Sequence, residues 1–146
     1  MTTTSIGRHS LIGDVHLLLT DDRGRILFGQ REGTGFEDGA WHVPSGHLEE
    51  GESVVAALIR EAAEEVGVEI AADDVEFSHI MHNASGRMAF FFTVRRWEGV
   101  PANREPDKCA GLEWFFPAEL PEHMIDYCRE ALATIGDGRD FSLYGW

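Results

Sequence analysis

Basic residues are scarce in this chain: 12 lysines and arginines stand against 26 acids, for a formal net charge of -14 over 146 residues. A surface of that sign repels a phosphate backbone, so a nucleic-acid-binding module is not expected. A small phosphorylated ligand is still allowed, because a divalent cation inverts the local field. Cysteine is nearly absent. The two present, Cys109 and Cys128, form no CxxC, which fits a reducing, cytoplasmic compartment where both act as small hydrophobes. Long apolar runs are missing as well. The leader MTTTSIGRHS lacks the apolar core of a signal peptide, and no stretch is long enough to span a membrane. The Asn83-Ala84-Ser85 sequon is then a chance match. There is no internal repeat, low-complexity tract or interdomain linker.

What is present is an ordinary globular composition, 43% hydrophobic and 10% aromatic, enough for one domain over residues 1–146 with a real core. Residues 1–10 read as a loose leader. Residues 14–20 and 25–30 read as two strands of a hairpin around the turn Asp21-Asp22-Arg23-Gly24. Gly33, Gly35 and Gly39 mark a mobile loop before Trp41. A helix is expected from Ser53, its N-cap, to Val66, with Gly67 as the stop. Strand-like runs follow near 75–82, 88–97 and 112–116, and a last helix from about Pro121 to Ile135. Residues 136–146 form a glycine-rich tail ending in aromatics. Strands around one central helix point to an α/β sandwich on a mixed sheet.

The stretch GHLEEGESVVAALIREAAEEVGV, Gly46 to Val68, is crowded with acids. At 100° per residue, Leu58, Ala62, Val55, Val66 and Ile59 share one arc of the helix, an apolar stripe for packing on a sheet. Glu61, Glu64 and Glu65 fall on a separate edge beside it, and Arg60 can pair with Glu64 across one turn. The plainer alternative is a solvated helix face with one ion pair. Against it, Arg60 is the only basic Lys or Arg between residues 33 and 86. Like-charge pairs of this kind cost a few tenths of a kcal/mol, roughly, on an isolated helix. The arrangement is unfavourable unless a cation arrives. All-oxygen ligands select a hard ion, Mg²⁺ first and Mn²⁺ close behind. His79 and His82, three apart on a strand, face opposite sides and do not chelate together.

At this point the residues resemble a known family. Gly46, Glu52 and Arg60-Glu61-Ala62-Ala63-Glu64-Glu65-Val66-Gly67-Val68 fill the Nudix hydrolase pattern: Gly, five residues, Glu, seven residues, Arg-Glu-aliphatic-any-Glu-Glu-any-Gly-aliphatic. Ala62 is small where a larger aliphatic is usual. Trp41-His42-Val43-Pro44-Ser45-Gly46 resembles the Trp-x-Leu-Pro-Gly-Gly approach to that box, with Ser45 replacing one glycine. The likeness covers roughly residues 12 to 135.

The resemblance implies an α/β/α sandwich and hydrolysis of a nucleoside diphosphate linked to another moiety. It also implies roles for individual residues. Glu61, Glu64, Glu65 and the Gly46 carbonyl would hold the metal, Arg60 would position the carboxylates, and Glu52 would support the site or place water. Water would attack one phosphorus of a diphosphate bridge. Glu105 is the first candidate for its base, with Glu52 and Glu65 behind it; the plainer reading makes Glu105 an ordinary loop acid. Arg31 can reach a substrate phosphate, as can Arg23 or Arg87. His42 and His47 flank the Pro-Ser-Gly turn and can touch substrate or serve structure. Phe90 to Phe92 and Trp114 to Phe116 are core by alternation, with one or two rings available for base stacking.

The window at 83–85 carries neither the proline of ADP-ribose hydrolases nor the tyrosine of dinucleoside polyphosphate hydrolases. By elimination the chain resembles nucleoside triphosphate pyrophosphohydrolases. Alternatives are a nucleotide-sugar or other nucleoside diphosphate hydrolase, a catalytically silent nucleotide-sensing module, and an isoprenyl diphosphate isomerase using Cys109. Dimers are frequent in the family, so a homodimer is the expectation by analogy.

Overall fold

The computed structural model describes residues 7–146; residues 1–6 of the predicted leader lie outside the described residues, and 7–10 are exposed coil. The elements in chain order are β1 (Ile12–Leu19), β2 (Ile26–Arg31), β3 (Trp41–His42), β4 (Ser45–His47), α1 (Val54–Val66), β5 (Val75–Asn83), β6 (Arg87–Val94), β7 (Cys109–Phe115), α2 (Asp126–Gly136) and β8 (Phe141–Tyr144). Alternation along β1 sets the layers. Val15, Leu17 and Leu19 face α1, whose Ala57, Leu58, Ala62 and Val66 are buried against them together with Phe92 and Val94. Leu18 faces the other way, into a second core with Phe28, Met81, Phe91 and the Cys128, Ala131 and Leu132 face of α2. The result is the expected α/β/α sandwich.

The strands form two sheets. The larger is mixed, in the order β4-β1-β6-β5-β8, and the smaller is antiparallel, β3-β2-β7. In the larger sheet β1 runs parallel to β6 and antiparallel to β4.

Four sequence expectations change. The β1–β2 hairpin is not a ladder: one bridge, Thr20↔Ile26, and the Asp21 amide bonded to the Arg25 carbonyl at 2.9 Å are its only rungs. Both edges of β1 are already taken by β4 and β6, so β2 diverges into the other sheet. Second, α2 begins at Asp126, not near Pro121. Residues 123–125 run extended beside Trp41, which donates to the His123 carbonyl at 2.9 Å and accepts from the Ile125 amide at 3.0 Å. Third, the tail contains a strand. β8 pairs parallel to β5, and the buried His79 holds it through Ser142 Oγ at 2.8 Å. His82 goes elsewhere, its carbonyl accepting from Trp146 Nε1 at 3.1 Å. Fourth, Glu61 and Glu65 do not stand on an edge separate from the packing face. Ala57 is fully buried on the far side of them, so the two acids, both half-buried, lie between buried positions of α1.

Candidate active site

Local signals position α1. Ser53 Oγ accepts from the Ala56 amide at 3.0 Å, and Gly67 closes the helix at φ 70° with its amide on the Ala63 carbonyl. The chain from 102 to 109 then docks on the end of the helix. Ala102 and Arg104 amides donate to the Val66 and Glu65 carbonyls at 3.0 and 3.1 Å. Asn103 Oδ1 accepts from the Glu105 amide at 3.0 Å, which carries Glu105 to the acids of α1.

Arg60 is the hub of the site. Its Nε and Nη2 donate to the two Glu52 oxygens at 2.6 and 3.0 Å, a bidentate pair. Nη1 donates to Glu61 at 2.9 Å and Glu64 at 3.2 Å, and Nη2 also reaches the His47 carbonyl at 3.1 Å. These bonds hold the Glu52 carboxyl below its ordinary range and make the guanidinium still harder to deprotonate. Glu52 also accepts from the Glu49 amide at 3.0 Å, so its oxygens brace the start of the helix.

Glu65 differs. Burial, a hydrogen bond with Glu61 and the charges of Glu61 and Glu105 hold its carboxyl well above the carboxylate range. Its Oε2 is buried with no hydrogen-bond partner among the described residues. An unsatisfied buried oxygen costs about 1–3 kcal/mol, and a cation at that oxygen would remove the cost. Gly46 lies against the same group, since a Cβ there would sit 2.1 Å from the Glu61 carboxylate. An oxygen-only donor set around an orphaned oxygen fits a hard divalent ion. Among the described residues no three His, Cys, Asp or Glu groups close into a cage; Glu61 and Glu64 are paired with Arg60.

Glu61, Glu64, Glu65, Glu105, Arg60, Gly46 and Arg31 line one cleft of about 640 Å³. A second cleft of about 650 Å³ continues from it, sharing Arg31, His42, Ser45, Gly46 and His47. Its floor is a buried polar chain. His42 Nδ1 sits 2.5 Å from the Val43 carbonyl, which needs a donor, so Nδ1 carries the proton. His42 Nε2 then accepts from the Tyr127 hydroxyl at 2.8 Å, and the Tyr127 oxygen accepts from His16 Nε2 at 2.8 Å. Burial keeps both histidines neutral, pulling His42 down to about 4 and His16 well below its usual value. Both ring nitrogens of His42 are therefore committed. His47 stands at the rim, paired with Asp14 at 2.7 Å, and Arg87 grips the same carboxylate.

Other expectations go their separate ways. Phe91 and Phe92 are core, and no ring of the Phe90–Phe92 or Trp114–Phe116 runs lines either cleft. Arg23 lies over Phe116, away from the site. The Cys109 thiol lines the acidic cleft, but burial raises its pKa and it donates to the Gly111 carbonyl at 3.3 Å, which makes it a poor nucleophile. Sequence reasoning missed Asp14, Phe36, Tyr127 and Tyr144 as lining residues. Only Phe36 carried a signal, an aromatic ring in a loop otherwise built of glycines and polar residues.

A family profile described as NUDIX domain matches residues 11–133. The chain belongs to the Nudix hydrolase family. It is therefore an enzyme of the pyrophosphohydrolase type, acting on an acid anhydride. An RNA pyrophosphohydrolase from Teredinibacter turnerae is 32% identical over 136 residues, covering 91% of this chain and 68% of that protein. A CTP pyrophosphohydrolase from Escherichia coli is 37% identical over 65 residues, covering 44% of this chain and 47% of the relative. The crystal structure of a MutT NUDIX hydrolase from Burkholderia pseudomallei superposes with a TM-score of 0.75 at 27% identity, over 86% of this chain and 98% of that one. The Nudix box of this hydrolase is the loop, helix and loop from Gly46 to Val68, with Arg60 at its centre.

Among the described residues no helix is long and apolar enough to cross a membrane.

Proposed function

We propose that this Nudix hydrolase converts a (deoxy)nucleoside triphosphate to the monophosphate and pyrophosphate, using Mg²⁺ or Mn²⁺. One observation carries the reading: a buried, partner-free Glu65 oxygen in an acidic cleft that Arg60 organises. Glu61, Glu64, Glu65 and the Gly46 carbonyl would hold the ion. Bound there, it supplies Lewis acidity to the phosphoryl oxygens and neutralises developing charge. The protein supplies the rest. Arg60 holds Glu61 and Glu64 in place while Glu52 and the His47 carbonyl hold Arg60. Glu105, fixed by Asn103 at the mouth of the same cleft, takes the proton of the attacking water. Arg31 lies at the junction of the two clefts, in reach of a substrate phosphate. The two free cysteines accord with a reducing, cytoplasmic location.

The name of the Teredinibacter relative favours a second reading, removal of pyrophosphate from the triphosphate end of an RNA. The net charge of -14 weighs against it, because a polyanion is repelled by the whole surface. A turnover screen with Mg²⁺ over nucleoside triphosphates, nucleotide sugars and 5′-triphosphorylated RNA decides between them. Glu64→Gln and Glu65→Gln should each lower kcat on the preferred substrate roughly a hundredfold or more. Full turnover in both variants would remove Glu64 and Glu65 as the metal ligands, and tight nucleotide binding without any product would remove the hydrolytic reading. Light scattering on the same preparation tests the homodimer expected from the family.

A further inference from the structure

The loop between β2 and β3 is built rather than loose. Four of its residues take left-handed backbone: Gly33, Gly35 and Gly39, and Glu37 at φ 45°, the only non-glycine among the described residues to do so. The Asp38 carboxylate ties the loop together, accepting from the Thr34 amide and hydroxyl at 3.1 and 2.6 Å and from the Gly35 amide at 3.1 Å. Arg31 closes it from below, with Nε on the Phe36 carbonyl at 2.8 Å and Nη2 on Thr34 Oγ1 at 3.1 Å. The guanidinium also lies 5.3 Å from the centre of the Phe36 ring. The loop rests on the segment that carries Glu105: Glu32 donates to the Lys108 carbonyl at 3.0 Å, and a Cβ on Gly33 would lie 2.6 Å from the Asp107 carbonyl.

The purpose of this bracing is to be read from what it presents. Phe36 is 58% exposed, yet it lines the second cleft. The other aromatic walls of that cleft, Tyr127 and Tyr144, are tied by their hydroxyls to His16 and His42 and to Asp126. Phe36 is thus an apolar ring with an open face in the second cleft, next to Arg31, which lines both clefts. We propose that the 32–39 loop is a preformed clamp in which Phe36 stacks on the flat aromatic base of the nucleotide, while Arg31 behind it meets the phosphate chain. The clamp sets which end of the substrate enters which cleft: diphosphate against the acids, base against Phe36. It rests on the nucleotide-hydrolase reading above.

The test compares a nucleoside triphosphate with ribose 5-triphosphate, which has the same phosphates and no base. Loss of a stacking ring lowers affinity for a base by about five- to a hundredfold. Phe36→Ala should lower the ratio of kcat/KM between the base-bearing and base-free substrates by that factor, mostly through KM, and Phe36→Trp should restore it. A ratio unchanged in Phe36→Ala, or Phe36→Trp no better than Phe36→Ala, overturns the clamp. A second readout needs no turnover. The fluorescence of 2-aminopurine riboside triphosphate should be quenched on binding the parent protein and Phe36→Trp, and not by Phe36→Ala. Equal quenching by all three overturns the inference. If the parent hydrolyses neither substrate but still quenches the probe, the clamp stands and the hydrolytic reading falls.

Discussion

At Gly46 the absence of a side chain is itself a functional requirement, since the space a Cβ would occupy is filled by the Glu61 carboxylate 2.1 Å away. Gly46→Ala must therefore push Glu61 off Arg60 and displace the acids as a group. A shift of about 1 Å at a catalytic group costs about a hundredfold in rate, so kcat should fall by that order while the circular dichroism spectrum stays folded. His42 makes a different prediction. Its pKa is about 4 in the folded protein against about 6.5 unfolded. Between those values the unfolded chain binds a proton that the native state excludes, so stability is complete above pH 6.5 and is lost as the pH falls toward 4. The slope attributable to His42 approaches about 1.4 kcal/mol per pH unit. Urea midpoints should fall from pH 7 to pH 4.5, and His42→Gln should be less stable at pH 7 yet show a shallower decline.

Among the elements, α1 was readable because its signals are local. Ser53 and Gly67 occur at the cap positions, and the structure uses both. Ser53→Ala should cost about 1 kcal/mol in urea unfolding. Gly67→Ala should cost more, because φ is 70° and a Cβ there would lie 2.7–2.9 Å from the Arg104 guanidinium. Spacing along this one helix put Glu61, Glu64 and Glu65 on one acidic edge, and the Nudix resemblance made them metal-ligand candidates. What could not be read were features set by remote partners. β8 exists because His79 and the β5 edge receive it, and residues 123–125 are extended because β3 does. Glu61 and Glu65 are half-buried where Gly46 and Ser45 pack against them, which no helical projection contains. Phe36 is the same lesson from the other side: its alternation says nothing, and only the loop geometry places it over a cleft.

For the molecule as a whole, the charge of -14 is a standing self-repulsion that compact folding concentrates. Added monovalent salt screens it, so the Tm should rise by a few degrees between about 10 and 300 mM KCl, where the Debye length falls several-fold. A Tm independent of salt would mean that the acids are already offset locally, as Arg60 offsets its neighbours. The parallel pairing of β1 with β6 has a kinetic consequence. It joins Ile12 to Arg87 and Leu19 to Val94, partners roughly 75 residues apart. Closing so long a loop precedes any reward from the ladder, which places the protein among slow folders, in the range of milliseconds to seconds. β4, which carries Gly46, hangs on the other edge of β1. After dilution from urea, α1 should regain its circular dichroism first. Catalytic competence should return only at the slower rate at which the two distant segments meet.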